Sequence, residues 1–422
     1  MNDPAWINAA LTSARPQAIA ALLRYFRDMD TAEEAYQEAC LRALKNWTKH
    51  GPPRDPAAWL ILVGRNAALD ASRRRRKLQP LPTDEVLSDL DDAENPLVER
   101  LDSADYRDDL LRLLFVCCHP ELPATQQIAL ALRIVSGLSV AQIARAFLVS
   151  ESAMEQRITR AKACIAHANL PFETPGAAER SLRLETVATM IYLLFNEGYS
   201  ATGDTAGMRF ALCDEAIRLA RLLLRLFAGE AEIIGLTALL LLQHSRSAAR
   251  LDGNGQIVLM EDQDRSLWNR TMINEGLALI DKALRHAHTG PYQVQAAIAA
   301  LHARAPSFSA TDWPQIELLY ATLEKLQPSP VVTLNRAVAL AKVQGAAAAL
   351  DLIEPLAGRL AGYFYFHGVK GALLRDLGRS EQARETYNRA IALANTAAEA
   401  AHIRSQLDRL MSDPAPTERP CK

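Results

Sequence analysis

The side chains with the most chemistry to offer are cations. Arg73, Arg74, Arg75, Arg76 and Lys77 follow one another at the end of the apolar stretch "AAWLILVGRNAALDAS". A second group, Arg157, Arg160 and Lys162, recurs at offsets of three and two within "ESAMEQRITRAKACI", beside Gln156. Guanidinium and ammonium groups grouped this way bind phosphate oxygens. The whole chain carries 47 Lys and Arg against 49 Asp and Glu, a formal charge of -2. The positive charge is therefore concentrated locally. Cations also suit a helix C-terminus, so the first cluster reads either as a solvated helix end or as a phosphate-binding edge.

Both groups need helices to hold them. Of the 422 residues 49% are hydrophobic, with Ala and Leu dominant, which favours an all-α chain of two or three domains. "TAEEAYQEACLRALKNW" is an amphipathic helix with Thr31 as its cap. Ala35, Tyr36, Ala39, Cys40, Ala43, Leu44 and Trp47 share its inner face. "TKHGPPRDP" breaks the chain, and Asp55 caps a helix that opens on Pro56. Trp59, Leu60, Leu62, Val63 and Leu69 point inward from that helix. It delivers Arg65, Asn66, Asp70 and the arginine run to its far end.

The second group sits in a helix-turn-helix pattern. One helix starts at Pro123 and ends near Ser136 and Gly137. "LSVAQIARAF" follows, capped by Ser139, with Ile143, Ala144 and Phe147 inward, then the turn "LVS". The last helix buries Met154 and Ile158 and turns Gln156, Arg157, Arg160 and Lys162 outward. Such a helix lies in a major groove, with its N-terminal residues on base edges.

Between the two groups the chain is acidic. From Asp84 to Asp109 eleven carboxylates face two arginines, a net of 2 - 11 = -9. That composition reads as a linker. Beyond the break "LPFETPGAAER" the chain is a helical array with traces of a repeat. Ala337, Leu340, Ala349 and Ile353 precede Gly371, Leu374, Ala383 and Tyr387 by 34 residues, the tetratricopeptide period. "DGNGQIVLMEDQ" fails as a calcium loop, because Ile257 stands where glycine is needed and Gln263 where a bidentate Glu is needed; it reads as a short hairpin. "EDQDRSLWN" reads as a salt-bridged, capped helix start.

None of the six cysteines forms a CxxC pair, and Cys117 and Cys118 read as small buried fillers. There is no nucleophile elbow, P-loop or metal set, so the expectation is a protein without catalysis, metal or cofactor. There is no apolar run of membrane-spanning length and no signal peptide, which makes the cytoplasm the expected compartment.

With those residues in view, the chain resembles the extracytoplasmic-function (ECF) sigma factors of the sigma-70 family. Residues 10–77 resemble region 2, through "TAEEAYQEACLRAL" and "PAAWLILVGRNAALDASRRRRK". Residues 105–170 resemble region 4, through "LPATQQIALALRIVSGLSVAQIARAFLVSESAMEQRITRAK", with 78–104 as the linker. The resemblance implies a helical bundle, a helix-turn-helix and, over 181–410, a tetratricopeptide-like domain. It implies an alternative sigma factor that directs core RNA polymerase to specific promoters.

In that scheme Asp30, Glu33, Glu34, Gln37 and Glu38 meet the β′ clamp helices of the polymerase. The loop with Lys49, His50 and Arg54 holds a flipped base of the minus-ten element. Arg65, Asn66, Arg73, Arg74, Arg75 and Arg76 take the backbone of the opened strand. The helix from Ser150, with Glu151, Ser152, Gln156, Arg157, Arg160 and Lys162, reads the minus-thirty-five element, and region 4 also meets the β flap. Glu155 and Ala153 depart from a pattern that often has a cation and a Thr there, which leaves the base contacts open.

The extension resembles the C-terminal domain of the ECF42-like subgroup, through "RLETVATMIYLLFNEGYSATGD", "LMEDQDRSLWNR" and "GPYQVQAAIAALHA". This implies that it modulates the sigma factor in place of a membrane anti-sigma factor; it does not imply which unidentified ligand or protein acts there. A helix-turn-helix regulator with a peptide-sensing repeat domain is the competing reading, and a hydrolase hidden in the array is a weaker third.

Overall fold

A computed structural model describes residues 5–51, 53–76, 104–119, 121–147, 149–167, 177–199, 206–253, 256–286, 289–394 and 396–412. The described residues form eighteen α-helices and three short 3-10 turns, and the one β-type contact among them is an isolated bridge between Leu251 and Ile257. The acidic linker lies outside them, as do the side chains of residues 71–76. The chain divides into two compact units, 1–194 and 195–422.

In the first unit α1 (Ala5–Phe26), α2 (Met29–His50) and α3 (Pro56–Arg76) pack as a three-helix bundle. Trp47 fixes the end of α2, edge-on to Trp59 at 5.3 Å and stacked with Trp6 at 6.4 Å. Gly64 allows close approach of α3 to α2, since a Cβ there would stand 2.8 Å from Ala35 O. The cap of α2 is Asp28, not Thr31: its carboxylate accepts from the Thr31 amide at 2.8 Å and the Thr31 hydroxyl at 2.6 Å. Leu44 also departs from expectation at 42% exposed. The buried stripe runs through Ala32, Ala35, Tyr36, Ala39, Ala43 and Trp47, and Leu44 falls a full residue's rotation past it.

The same unit holds α4 (Ala104–Cys117), α5 (Ala124–Ile134), α6 (Val140–Ala146) and α7 (Glu151–His167). Helix α4 packs on α1 and α5, and both α5 and α6 pack on α7. Ser139 and Gln142 form a reciprocal capping box on α6. Ile143, Ala144, Met154 and Ile158 are buried between α6 and α7. Cys117 and Cys118 are buried too, and burial raises both thiols above their ordinary range.

The unit boundary falls within α8 (Ala177–Tyr199). The second unit continues with α9 (Ala206–Leu226), α10 (Ala231–His244), α11 (Arg270–Ala283), α12 (Pro291–Arg304), α13 (Trp313–Leu326) and α14 (Pro330–Gln344). It ends with α15 (Ala346–Ile353), α16 (Phe364–Asp376), α17 (Ser380–Leu393) and α18 (Ala397–Ser412). Helices next to one another in sequence pack together from α9 to α18. Ile233 to Leu242 are buried on every side of α10, the centre of the array.

The two copies of the 34-residue pattern are the hairpins α14–α15 and α16–α17. Gly345 and Gly378, at φ 90° and 71°, make their turns. Gly371 admits the Tyr387 ring, whose Cδ1 would lie 2.6 Å from a Cβ. The failed calcium loop is a short hairpin: Val258 N donates to Arg250 O at 2.9 Å, and Asp252 N to Gln256 O at 3.0 Å. Asp264 caps the following turn through the Ser266 amide at 2.8 Å. Arg265, however, donates to the His302 and Ala305 carbonyls and makes no salt bridge with its acidic neighbours among the described residues.

Candidate nucleic-acid interface

The second helix of the helix-turn-helix, α7, is set by its N-cap and its buried side. The Ala153 amide donates to Ser150 Oγ at 3.2 Å. Met154 and Ile158 anchor the inner face. This leaves Glu151, Ser152, Gln156 and Arg160 exposed on the outer face, with Arg157 half-buried beside them. Glu155 is exposed as well, so one carboxylate stands in the middle of this cationic surface.

Lys162 is not on that outer surface. Its ammonium donates to Asp30 Oδ1 at 2.7 Å and to Glu33 Oε2 at 2.9 Å, both on α2 of the bundle. Burial alone would lower this amine; the two carboxylates outweigh it and hold its pKa above the ordinary value. The reason is rotation along the helix: Lys162 stands next to buried Ala161, on the side that turns toward the bundle.

Glu33 departs from expectation in the same way. At 5% exposed it is not free to meet another protein. Arg133 Nη2 lies 2.9 Å from its Oε1 and Arg15 Nη2 3.7 Å from the same oxygen. Neither contact has hydrogen-bond geometry, and Oε1 is left without a donor, so these contacts are ionic. Arg15 spends its hydrogen bonds on the last turn of α5, donating to Ile134 O at 3.0 Å and Arg133 O at 3.2 Å. It also fills the space a side chain at Gly137 would need, 2.7 Å from the ideal Cβ. Arg24 reaches Asp109 of α4 at 3.1 Å. The helix-turn-helix is thus clasped to the bundle.

The outer face of α2 remains open. Asp30, Glu34 and Gln37 are exposed; Glu38 is half-buried and accepts from Arg42 Nε at 3.0 Å. Leu41, 55% exposed, and Leu44 continue this face. Sequence patterning missed both: it read one leucine as core and passed over the other.

At the far end of the bundle Lys49, His50 and Arg54 are exposed. His50 Nδ1 lies 2.6 Å from Asn46 Oδ1. Arg65 and Asn66 are half-buried on α3. The Arg65 guanidinium sits 5.8 Å from the ring of Tyr25, itself 52% exposed, and Arg65 Nε is buried without a partner. Tyr25 is a further aromatic surface that the motifs did not flag. The backbone of Arg73, Arg74, Arg75 and Arg76 is helical; their side chains lie outside the described residues. Helix α3 spans 21 residues, about 30 Å at 1.5 Å each. Arg54 and Arg76 are therefore at opposite ends of a track, and only a strand of several nucleotides can touch both.

Residues 11–78 match the family described as Sigma-70 region 2, and residues 112–165 match Sigma-70, region 4. Residues 183–284 match a family of unknown function, DUF6596. An uncharacterized protein of Rhizobium meliloti (strain 1021) is 68% identical over 415 residues, covering 98% of each chain. No described helix is long and apolar enough to cross a membrane. Region 2 and region 4 follow one another on one chain and fold together within the first compact unit, with Lys49 and Arg54 exposed on the one and Arg160 on the other. The chain thus carries sigma-70 regions 2 and 4 ahead of a DUF6596 domain, an arrangement that supports an ECF-like sigma factor with a role in promoter recognition and transcription initiation.

Proposed function

We propose that the chain is an alternative sigma factor of the ECF42-like kind, and that the clasped arrangement of regions 2 and 4 is its resting form. The clasp itself carries this reading: Asp30 and Glu33, on the helix expected to dock on polymerase, are bonded to Lys162, on the helix expected to read DNA. The two promoter elements lie about 25 base pairs apart, or about 85 Å at 3.4 Å per pair. Regions locked together at 2.7 Å cannot reach both, so promoter engagement requires the clasp to open.

In the opened form the outer face of α2, with Glu34, Gln37, Glu38, Leu41 and Leu44, docks on the β′ clamp helices. The exposed leucines support this, because a polar rim around a small apolar patch suits a protein partner better than solvent. Helix α7 enters the major groove of the minus-thirty-five element through Ser150, Glu151, Ser152, Gln156, Arg157 and Arg160, and region 4 meets the β flap. Lys49, His50, Arg54, Arg65, Asn66 and the Arg73–Arg76 run hold the opened minus-ten strand along α3. The helical extension modulates this activity; the Gly371–Tyr387 fit and the repeated turn glycines support its tetratricopeptide-like reading.

The test is run-off transcription with bacterial core polymerase. Promoter-specific transcripts that require this chain uphold the reading. Duplex DNA binding with no such transcripts favours a helix-turn-helix regulator and overturns it.

A further inference from the structure

Three arginines of the second unit gather around aromatic rings with no acid among them. Some arginines of the array are paired: Arg221 Nη2 meets Glu275 at 2.5 Å, and Arg336 meets Glu317 and Glu324 at 2.8 and 2.9 Å. Arg246, Arg250 and Arg265 make no salt bridge among the described residues. They are also gathered together. Ser245 O accepts from the Asn269 amide at 2.7 Å, which ties the turn after α10 to the turn carrying Arg265. Arg246 and Arg250 flank one ring, with guanidinium carbons 5.9 and 3.6 Å from the centroid of Tyr199. Arg265 lies 4.4 Å over Trp268.

Several donors in this cluster are unused. Trp268 is 4% exposed, and its indole N–H has no acceptor. Arg265 Nη2 and the Tyr199 hydroxyl are buried without partners. His302, whose carbonyl accepts from Arg265 at 2.7 Å, is held neutral by burial and by Arg246 and Arg265, its pKa brought down to about 4. Like charges brought out of water without a counter-ion cost stability. A cluster that keeps them, with idle N–H and O–H donors among them, suits an acceptor-rich anion.

We propose that Arg246, Arg250 and Arg265, with the Trp268 indole N–H, form an oxyanion-binding site for a small phosphate- or carboxylate-bearing ligand of the helical extension. The aromatic rings hold the guanidinium groups in place by stacking, so the site is formed before the anion arrives. This inference does not depend on the transcription reading, because it is tested without polymerase or DNA.

The experiment uses the purified full chain, titrated by calorimetry and by NMR of the indole N–H protons. Inorganic phosphate, pyrophosphate and citrate are compared with sodium chloride at matched ionic strength. The expected result is saturable 1:1 binding of phosphate, pyrophosphate or citrate, with a shift of the Trp268 Nε1–H resonance. Arg246→Gln should weaken it about tenfold or more. Because the Arg246 guanidinium donates no hydrogen bond among the described residues, this variant should keep its fold, and its melting temperature without anion should not fall. Preference for phosphate over citrate, or the reverse, assigns the ligand's charged group. No saturable binding of any of the three, equal binding by Arg246→Gln, or a response that chloride reproduces would overturn the site.

Discussion

Lys162 of α7 and Glu33 of the bundle are joined by a hydrogen bond of 2.9 Å, with Asp30 completing the grip at 2.7 Å. One ammonium thereby neutralises two carboxylates. In the proposed function these charges face different partners, and in this structure they satisfy each other. Arg15 and Arg133 add to it from α1 and α5.

Lys162→Met should loosen the clasp without unfolding either region. Lys162 is partly solvated, so the loss should be about 1–2 kcal/mol, below the 3–5 of a fully buried pair. Paired spin labels on α2 and α7 should show a broader, longer distance distribution in the variant. An unchanged distribution would count against the clasp.

The same amine sets a pH dependence. Its folded pKa is raised, so its contribution is fully present below the ordinary value of 10.5 and is lost as pH rises through the folded value. The label distance should therefore be constant through neutral pH and lengthen only in strong alkali. In Lys162→Met that alkaline transition should vanish.

How far the sequence reveals this molecule depends on the element. The helix-turn-helix was legible because Ser139, Gly137, Ile143 and Met154 are local signals, read within one or two turns. The cap of α2 was misplaced by three residues because Asp28 and Thr31 are both good caps, and only backbone geometry separates them. The clasp was invisible: Lys162 and Asp30 are 132 residues apart, and no local pattern says that an outward-reading lysine will meet an acid from another region. The arginine cluster was hidden for a similar reason. "EDQDRSLWN" offers Arg265 several nearby acids, yet the chain turns it to the carbonyls of His302 and Ala305.

Changing Arg73, Arg74, Arg75 and Arg76 to Ala should leave polymerase binding intact and weaken open-complex formation. If all four contact phosphates, the salt slope should fall by about 3, at roughly 0.7 per single-strand phosphate. Permanganate footprinting across a salt series reads this. Loss of core binding with normal melting would contradict the placement of the strand along α3.

His302 should titrate near its depressed value of about 4 in the folded chain. The groups around it are Arg246 and Arg265 from the two turns and the Trp313 ring of α13, 5.4 Å away. Because the folded value lies below the ordinary 6.5, the unfolded chain takes up the proton first. The contribution is present above 6.5 and is lost as pH falls toward 4, up to about 3 kcal/mol. NMR of the imidazole checks the value, and Arg246→Gln should move it upward.

Gly371→Ala should destabilise the second unit by about 1–3 kcal/mol, because the new methyl meets the Tyr387 ring. Tyr387→Leu should recover part of the loss in the double variant. Urea unfolding of the four chains gives the coupling directly.

That glycine has a wider implication. In the hairpin one period earlier, Ala337 and Ile353 stand where Gly371 and Tyr387 stand. Ala337 and Ile353 lie in the same buried core as Tyr387, with a smaller step in size between them than between Gly371 and Tyr387. The hairpins are therefore not interchangeable modules. A chimera that swaps one helix between them would put alanine against tyrosine in one copy and glycine against isoleucine in the other, crowding the first and leaving a void in the second.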